Sequence, residues 1–187
     1  MGGGFLKKWL AFLFLTGAVT LSAGCQSGES GEAAAQRVLA DEKHTFVGDN
    51  SAVGGILSQL PGSQYVKTLQ LHTKEKPYGL TVTYGLKNGQ NDASFENSWD
   101  AKNSQKVLLN NAASLLILIE NAEWAELKIE TEKPMSLKVT KDELQSLFGE
   151  DLSMYADDPE KWKKDVADRM AKGDPEITNF LETHLAE

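Results

Sequence analysis

The chain has 187 residues and carries 27 acidic against 19 basic side chains, a formal net charge of −8. This acidic balance argues against nucleic acid, whose binding rests on neutralising phosphates, and against docking flat on anionic lipid headgroups. A single cysteine rules out any intrachain disulfide, so the fold must be held by its apolar core.

Residues 1 to 24 read as a targeting segment. Lys7 and Lys8 form a positive start, and the uncharged apolar run from Trp9 to Val19 follows. That run is short of the roughly 20 apolar residues a membrane span requires. Small residues then lead to Cys25. The pentapeptide Leu21-Ser22-Ala23-Gly24-Cys25 resembles the bacterial lipobox, with Ser22 standing where leucine is more usual. The resemblance implies that Cys25 is the lipid attachment site and the first mature residue. The chain would then be anchored on the extracytoplasmic face of the cell membrane. Each buried methylene of such an anchor contributes about 0.8 kcal/mol, so two or three acyl chains hold durably where one does not. Removal of residues 1 to 24 takes away two lysines and no acids. It leaves 163 residues with 17 basic and 27 acidic side chains, net −10.

Gln26 to Glu32 (QSGESGE) has the composition of a flexible linker that would span about 15 Å root-mean-square. Residues 33–187 have the length of one domain. A short helix is expected near residues 33–42, and a second over Ser51–Leu60, capped by Asp49 or Asn50 and stopped by Pro61 and Gly62. Tyr65–Thr73 reads as a strand in which Val66, Leu69 and Leu71 alternate imperfectly. Lys74–Pro77 makes a turn. Tyr78–Leu86 is the clearest strand, with Leu80, Val82 and Tyr84 on one face, and Asn88-Gly89 follows as a turn signal.

The period becomes helical from about Lys102 to Asn121, where Val107, Leu108, Ala112, Leu115, Leu116 and Ile119 make a wide apolar stripe. Trp124–Glu132 is a strand whose Trp124, Leu127 and Ile129 break phase once, which suggests a bulge. Met135–Thr140 forms a fourth strand after Pro134. Thr140 and Glu143 fit a capping box for Lys141–Phe148, ended by Gly149. Asp158-Pro159 opens a helix that Gly173 closes, and Asp174-Pro175 opens the last one. The expected fold is α+β: a mostly antiparallel sheet of about four strands in two hairpins, packed by a central helix, with C-terminal helices. The order of elements hints at a loose duplication.

Two stretches, Phe46–Pro61 (FVGDNSAVGGILSQLP) and Leu69–Gly85 (LQLHTKEKPYGLTVTYG), carry a further likeness. With the lipobox they resemble a family of small Gram-positive lipoproteins whose domain has no assigned function, across residues 43–135. The Lys76–Leu80 turn (KPYGL) entering a threonine-rich strand is its most specific piece. The resemblance implies no catalytic or binding residues.

The three histidines, His44, His72 and His184, are the first candidates for chemistry near neutral pH. Ser51, His72 and Asp49 make a triad on paper, yet the sequence around Ser51 lacks the G-x-S-x-G elbow that exposes a nucleophile. Asp49 and Ser51 are better read as helix-start residues. No H-x-x-x-H pair exists, and Gly149–Asp158 clusters four acids without EF-hand spacing, so it reads as a solvated acidic loop. The glycines of Gly48–Gly55 match no phosphate-binding pattern. No metal, cofactor or catalytic residue is therefore expected. Tyr65, Tyr78, Tyr84, Trp99 and Trp124 could stack sugars or peptides, with packing the blander reading and Tyr78 and Trp99 nearest predicted loops. The leading expectation is a non-enzymatic, membrane-anchored binding or interaction module with a protein or small-ligand partner. The alternative is an envelope hydrolase or wall-modifying enzyme, for which His72 is the first residue to test.

Overall fold

The computed structural model describes residues 44–87, 93–99, 101–149 and 151–186. The expected helix over 33–42, the linker and Cys25 lie outside the described residues, as do Asn88 and Gly89 of the turn signal.

Helix α1 (Asn50–Gln59) starts where Asp49 accepts hydrogen bonds from the backbone N–H groups of Ser51 and Ala52. A short 3₁₀ turn (Ser63–Tyr65) leads into β1 (Val66–His72) and β2 (Gly79–Tyr84). Helices α2 (Ala93–Ser98) and α3 (Ala101–Leu118) precede β3 (Trp124–Ile129) and β4 (Met135–Thr140). After α4 (Lys141–Phe148) and α5 (Ser153–Asp157), α6 (Pro159–Trp162) passes through a π turn at Lys163–Ala167 into α7 (Asp168–Lys172). Helix α8 (Pro175–His184) ends in the two-residue β5 (Leu185–Ala186).

The sheet order is β1-β2-β3-β4-β5. Three of the four ladders are antiparallel and one, β2 with β3, is parallel. The two expected hairpins are present, and α3 joins them as the helical crossover that a parallel pair requires. This junction limits the hinted duplication to element order. β1 runs antiparallel to β2 and hence to β3, so shifting the first half along the sheet does not reproduce the second.

The imperfect alternation of β1 has a physical source. Val66 faces Tyr84 and Thr68 faces Thr83, leaving Lys67 as the extra residue of a bulge. The bulge expected in β3 is absent, because its register is continuous with both neighbours. Ala125 takes the inward position beside Leu127 and Ile129, and Trp124 turns to the opposite face.

On the inner face Leu80, Val82, Tyr84, Ala125, Leu127, Leu137 and Val139 are fully buried, facing Leu108, Leu109, Ala112, Leu115 and Leu116 of α3. Among the described residues the buried Asn111 links layers. Its amide donates to the Pro61 carbonyl at 2.9 Å and to the Tyr84 hydroxyl at 2.9 Å, tying α3 to the strand and to the turn after α1. Burial holds the Tyr84 phenol well above its ordinary pKa, with the Asn111 bond opposing.

Local punctuation in the C-terminal half follows the sequence closely. Thr140 and Glu143 make the reciprocal capping box, and Gly149 and Gly173 close their helices at φ +81° and +71°, where a side chain would be strained. Arg169 fastens this half. It donates to Asp174 at 2.7 Å, to Glu176 at 2.7 Å and to the Leu147 carbonyl at 2.9 Å, so α7, α8 and α4 share one guanidinium. The bond from Arg169 holds the Asp174 carboxyl below its usual range, against opposition from burial, and the Glu176 amide adds to the lowering. A carboxyl lowered on folding contributes stability above its unfolded pKa of about 3.9 and loses it as pH falls through the folded value. Thermal unfolding should therefore show a decline that begins near pH 4 and continues downward. Asp174→Asn, which keeps a good helix cap, should flatten that decline; an unchanged acid limb would show that the ion pair contributes nothing.

Candidate functional site

The outer face of the sheet is polar, and the ladder registers set its side chains in rows. His72, Gly79, Trp124 and Thr140 form one row, and Gln70, Thr81, Glu126 and Lys138 the next. Thr68, Thr83, Lys128 and Ser136 form the third. Trp124 is the only large aromatic in these rows.

Its indole lies flat over Gly79, filling the space where any other residue would place a Cβ. The indole N–H donates to the Pro77 carbonyl at 3.0 Å, which fixes the ring's rotation. Lys138 Nζ stands 4.7 Å from the ring centroid, within cation–π reach, and the His72 ring lies 4.9 Å away at 43°. The result is a half-exposed aromatic plate fixed by Gly79, Pro77 and His72, with a cation over the ring.

Beside the plate runs a polar chain. His72 Nε2 lies 3.2 Å from the Thr81 hydroxyl, which donates to Glu126 at 3.3 Å. Because that hydroxyl proton is committed to Glu126, His72 bonds Thr81 as a donor through Nε2–H. Lys128 pairs with the other Glu126 oxygen at 3.1 Å. The order histidine–threonine–carboxylate is not that of a nucleophile triad, in which the imidazole stands between hydroxyl and acid. Thr81 is also 7% exposed, which closes its hydroxyl to an approaching carbonyl.

The other sequence candidates lie elsewhere. Asp49 caps α1 and His72 bonds Thr81, so the triad on paper is not assembled. Tyr84 is in the core, and Trp99, expected near the surface, is 8% exposed with its ring against Gly62 and Tyr84. Tyr65 packs edge-on to Phe95, while Tyr78 is half-buried with Lys76 above its ring. His44 pairs with Glu120, and His184 stacks on Phe180 with Glu143 at 3.4 Å. Among the described residues no three His, Cys, Asp or Glu side chains converge to hold a metal ion, and no helix is long and apolar enough to cross a membrane. The feature that sequence reasoning passed over is Gly79. A glycine inside a threonine-rich strand signals close approach by another group, and here that group is Trp124.

Fold and face together define a class: an α+β domain with helices on one side of a mixed sheet and, on the other, an open polar surface built around one tryptophan. Within that class the chain belongs to the family described as Domain of unknown function (DUF4825), whose model matches residues 39–140. The match spans α1 through β4 and so contains every residue of the Trp124 face. The chain matches no curated protein and no solved structure.

Proposed function

We propose that this chain is a lipid-anchored extracytoplasmic binding module, tethered through Cys25 and recognising a protein or small ligand with the outer face of its sheet. The observation that carries the reading is the Trp124 plate. An aromatic ring already fixed by Gly79, Pro77 and Lys138 meets a partner at little further cost in side-chain entropy. Tryptophan is also among the residues that dominate energetic hot spots at interfaces. The lipobox-like pentapeptide Leu21–Cys25 supports the tether, and the acidic balance suits a domain held away from anionic lipid.

Two variants of the full chain test the reading in cells. Cys25→Ser should abolish both lipid labelling and removal of residues 1 to 24; normal labelling would refute the anchor. Trp124→Ala should remove most of what in-cell crosslinking captures on the unchanged protein, a loss of about 2 kcal/mol or more in affinity if the plate is a hot spot. Undiminished capture would refute the surface. The hydrolase alternative requires His72 to act on substrate, and His72→Ala reads it out directly: wall-modifying activity surviving that change removes the alternative in its His72 form.

A further inference from the structure

We propose that β1 is a self-pairing edge, through which two copies of the chain join antiparallel into one continuous sheet about a two-fold axis at Gln70. β1 ends the sheet order, and its seven residues form the longest strand among the described residues, whereas the opposite edge carries the two-residue β5. Among the described residues, no backbone hydrogen bond other than those of β2 reaches Lys67–His72. Natural edges are commonly blunted by proline, charged side chains, lysine above all, or a bulge, and β1 keeps its bulge and its one lysine, Lys67, together near its start. The regular part, Thr68 to His72, contains no proline, glycine, lysine, arginine or carboxylate.

The pattern of that regular part is symmetric: polar, apolar, polar, apolar, polar. Antiparallel pairing centred on Gln70 sets Leu69 against Leu71 of the second copy, Thr68 against His72, and Gln70 against itself. The outer-face amides of the two Gln70 residues can then bond each other. Lys67 falls opposite Thr73 and Lys74 opposite Val66, so no like charges face one another. A centre one residue earlier would put Leu71 against Lys67, and one residue later would put Leu69 against Thr73. Only the Gln70 centre sets both leucines against leucines.

Burial points the same way. Leu80 and Val82, next inward on β2, are fully buried, but Leu69 and Leu71 are only half-covered. The second copy's leucines complete that cover, which is the contribution area burial makes to association. Lys67 is already neutralised by Glu130 at 2.7 Å and adds little repulsion. The interface would be short, giving a concentration-dependent dimer rather than an obligate one.

A charge exchange at the axis tests this. The full chain is purified in micelles that outnumber it, and its sedimentation is followed across a concentration series. The unchanged chain should pass from monomer to dimer. Gln70→Lys and Gln70→Glu, at an exposed position that leaves the fold intact by circular dichroism, should each weaken the dimer by about fivefold, because each sets like charges opposite one another. Mixing the two variants should restore association to at least the original strength. A chain that stays monomeric throughout, or a dimer indifferent to both substitutions and to their mixing, overturns the proposal.

Discussion

Trp162→Ala is expected to lower the stability of the fold by about 3–5 kcal/mol, read as a fall in the urea midpoint at unchanged slope. Trp162 lies 22 residues beyond the last position matched by the family, yet it is fully buried and belongs to the same core cluster as the sheet. Its ring meets that of Tyr155 edge-on, with centroids 6.1 Å apart at 73°. Domains of this size are stable by about 5–15 kcal/mol in all, so the loss would be a large share of the total. The indole N–H complicates the expectation in a useful way, since it is buried with no hydrogen-bond partner. Such a group costs about 1–3 kcal/mol where it stands. Trp162→Phe removes that cost while keeping most of the ring, so its penalty should be about 1 kcal/mol or less. Equal penalties for alanine and phenylalanine would mean that the N–H is satisfied in solution. A mild effect of alanine would mean that the C-terminal helices are an appendage to the family domain rather than part of its core.

That the core continues past residue 140 also explains which features were legible in the sequence. Asp158-Pro159, Asp174-Pro175, the Thr140/Glu143 box, Gly149 and Gly173 act through groups a few residues away, and each fell where its chemistry predicts. The parallel join of β2 to β3 and the return of Leu185 to pair with Leu137 are decided by packing across the whole chain. No local pattern encodes them. The π turn at Lys163–Ala167 was hidden for a related reason: its residues keep helical dihedrals at its borders, and only the hydrogen-bond spacing changes. In β3 the apparent break of phase comes from counting Trp124 with Leu127 and Ile129, whereas the inward residue is the small Ala125.

The candidate face was half legible. Trp124 and His72 were both singled out, but as a possible stacking residue and a possible base, with nothing to place them 4.9 Å apart. Their meeting depends on the register of three strands, two of which are separated in sequence by α2 and α3. Nearness to loops favoured Trp99 as a surface residue. That guide failed because Gly62 at φ +80° has no side chain, and the Trp99 ring occupies the room it leaves. Two of the chain's tryptophans thus rest on glycines, one inside the core and one on the open face.

The second of these contacts gives the sharper functional test. Gly79→Ala places a methyl group well inside contact distance of the Trp124 ring atoms Cδ2 and Cε2, so either the indole or the strand must move. β2 is held by ladders on both sides, whereas the indole is held by one hydrogen bond to Pro77 and its contacts with Lys138 and His72. The ring should therefore be the part that gives. Overpacking of this kind costs about 1–3 kcal/mol, although alanine in place of glycine within a strand would by itself contribute about 0.5–1 kcal/mol of stability. The double variant Gly79→Ala/Trp124→Ala removes the clash and keeps that gain, so it should be at least as stable as Trp124→Ala alone. The resulting coupling energy, about 1–3 kcal/mol, measures the contact between the two positions. If the plate is the recognition element, Gly79→Ala should also lose partner capture to nearly the extent of Trp124→Ala, with every side chain of the surface still present. Additive stabilities would show that ring and glycine are not in contact in solution. Strong coupling with undiminished capture would place recognition on another surface while leaving the packing of Trp124 over Gly79 intact.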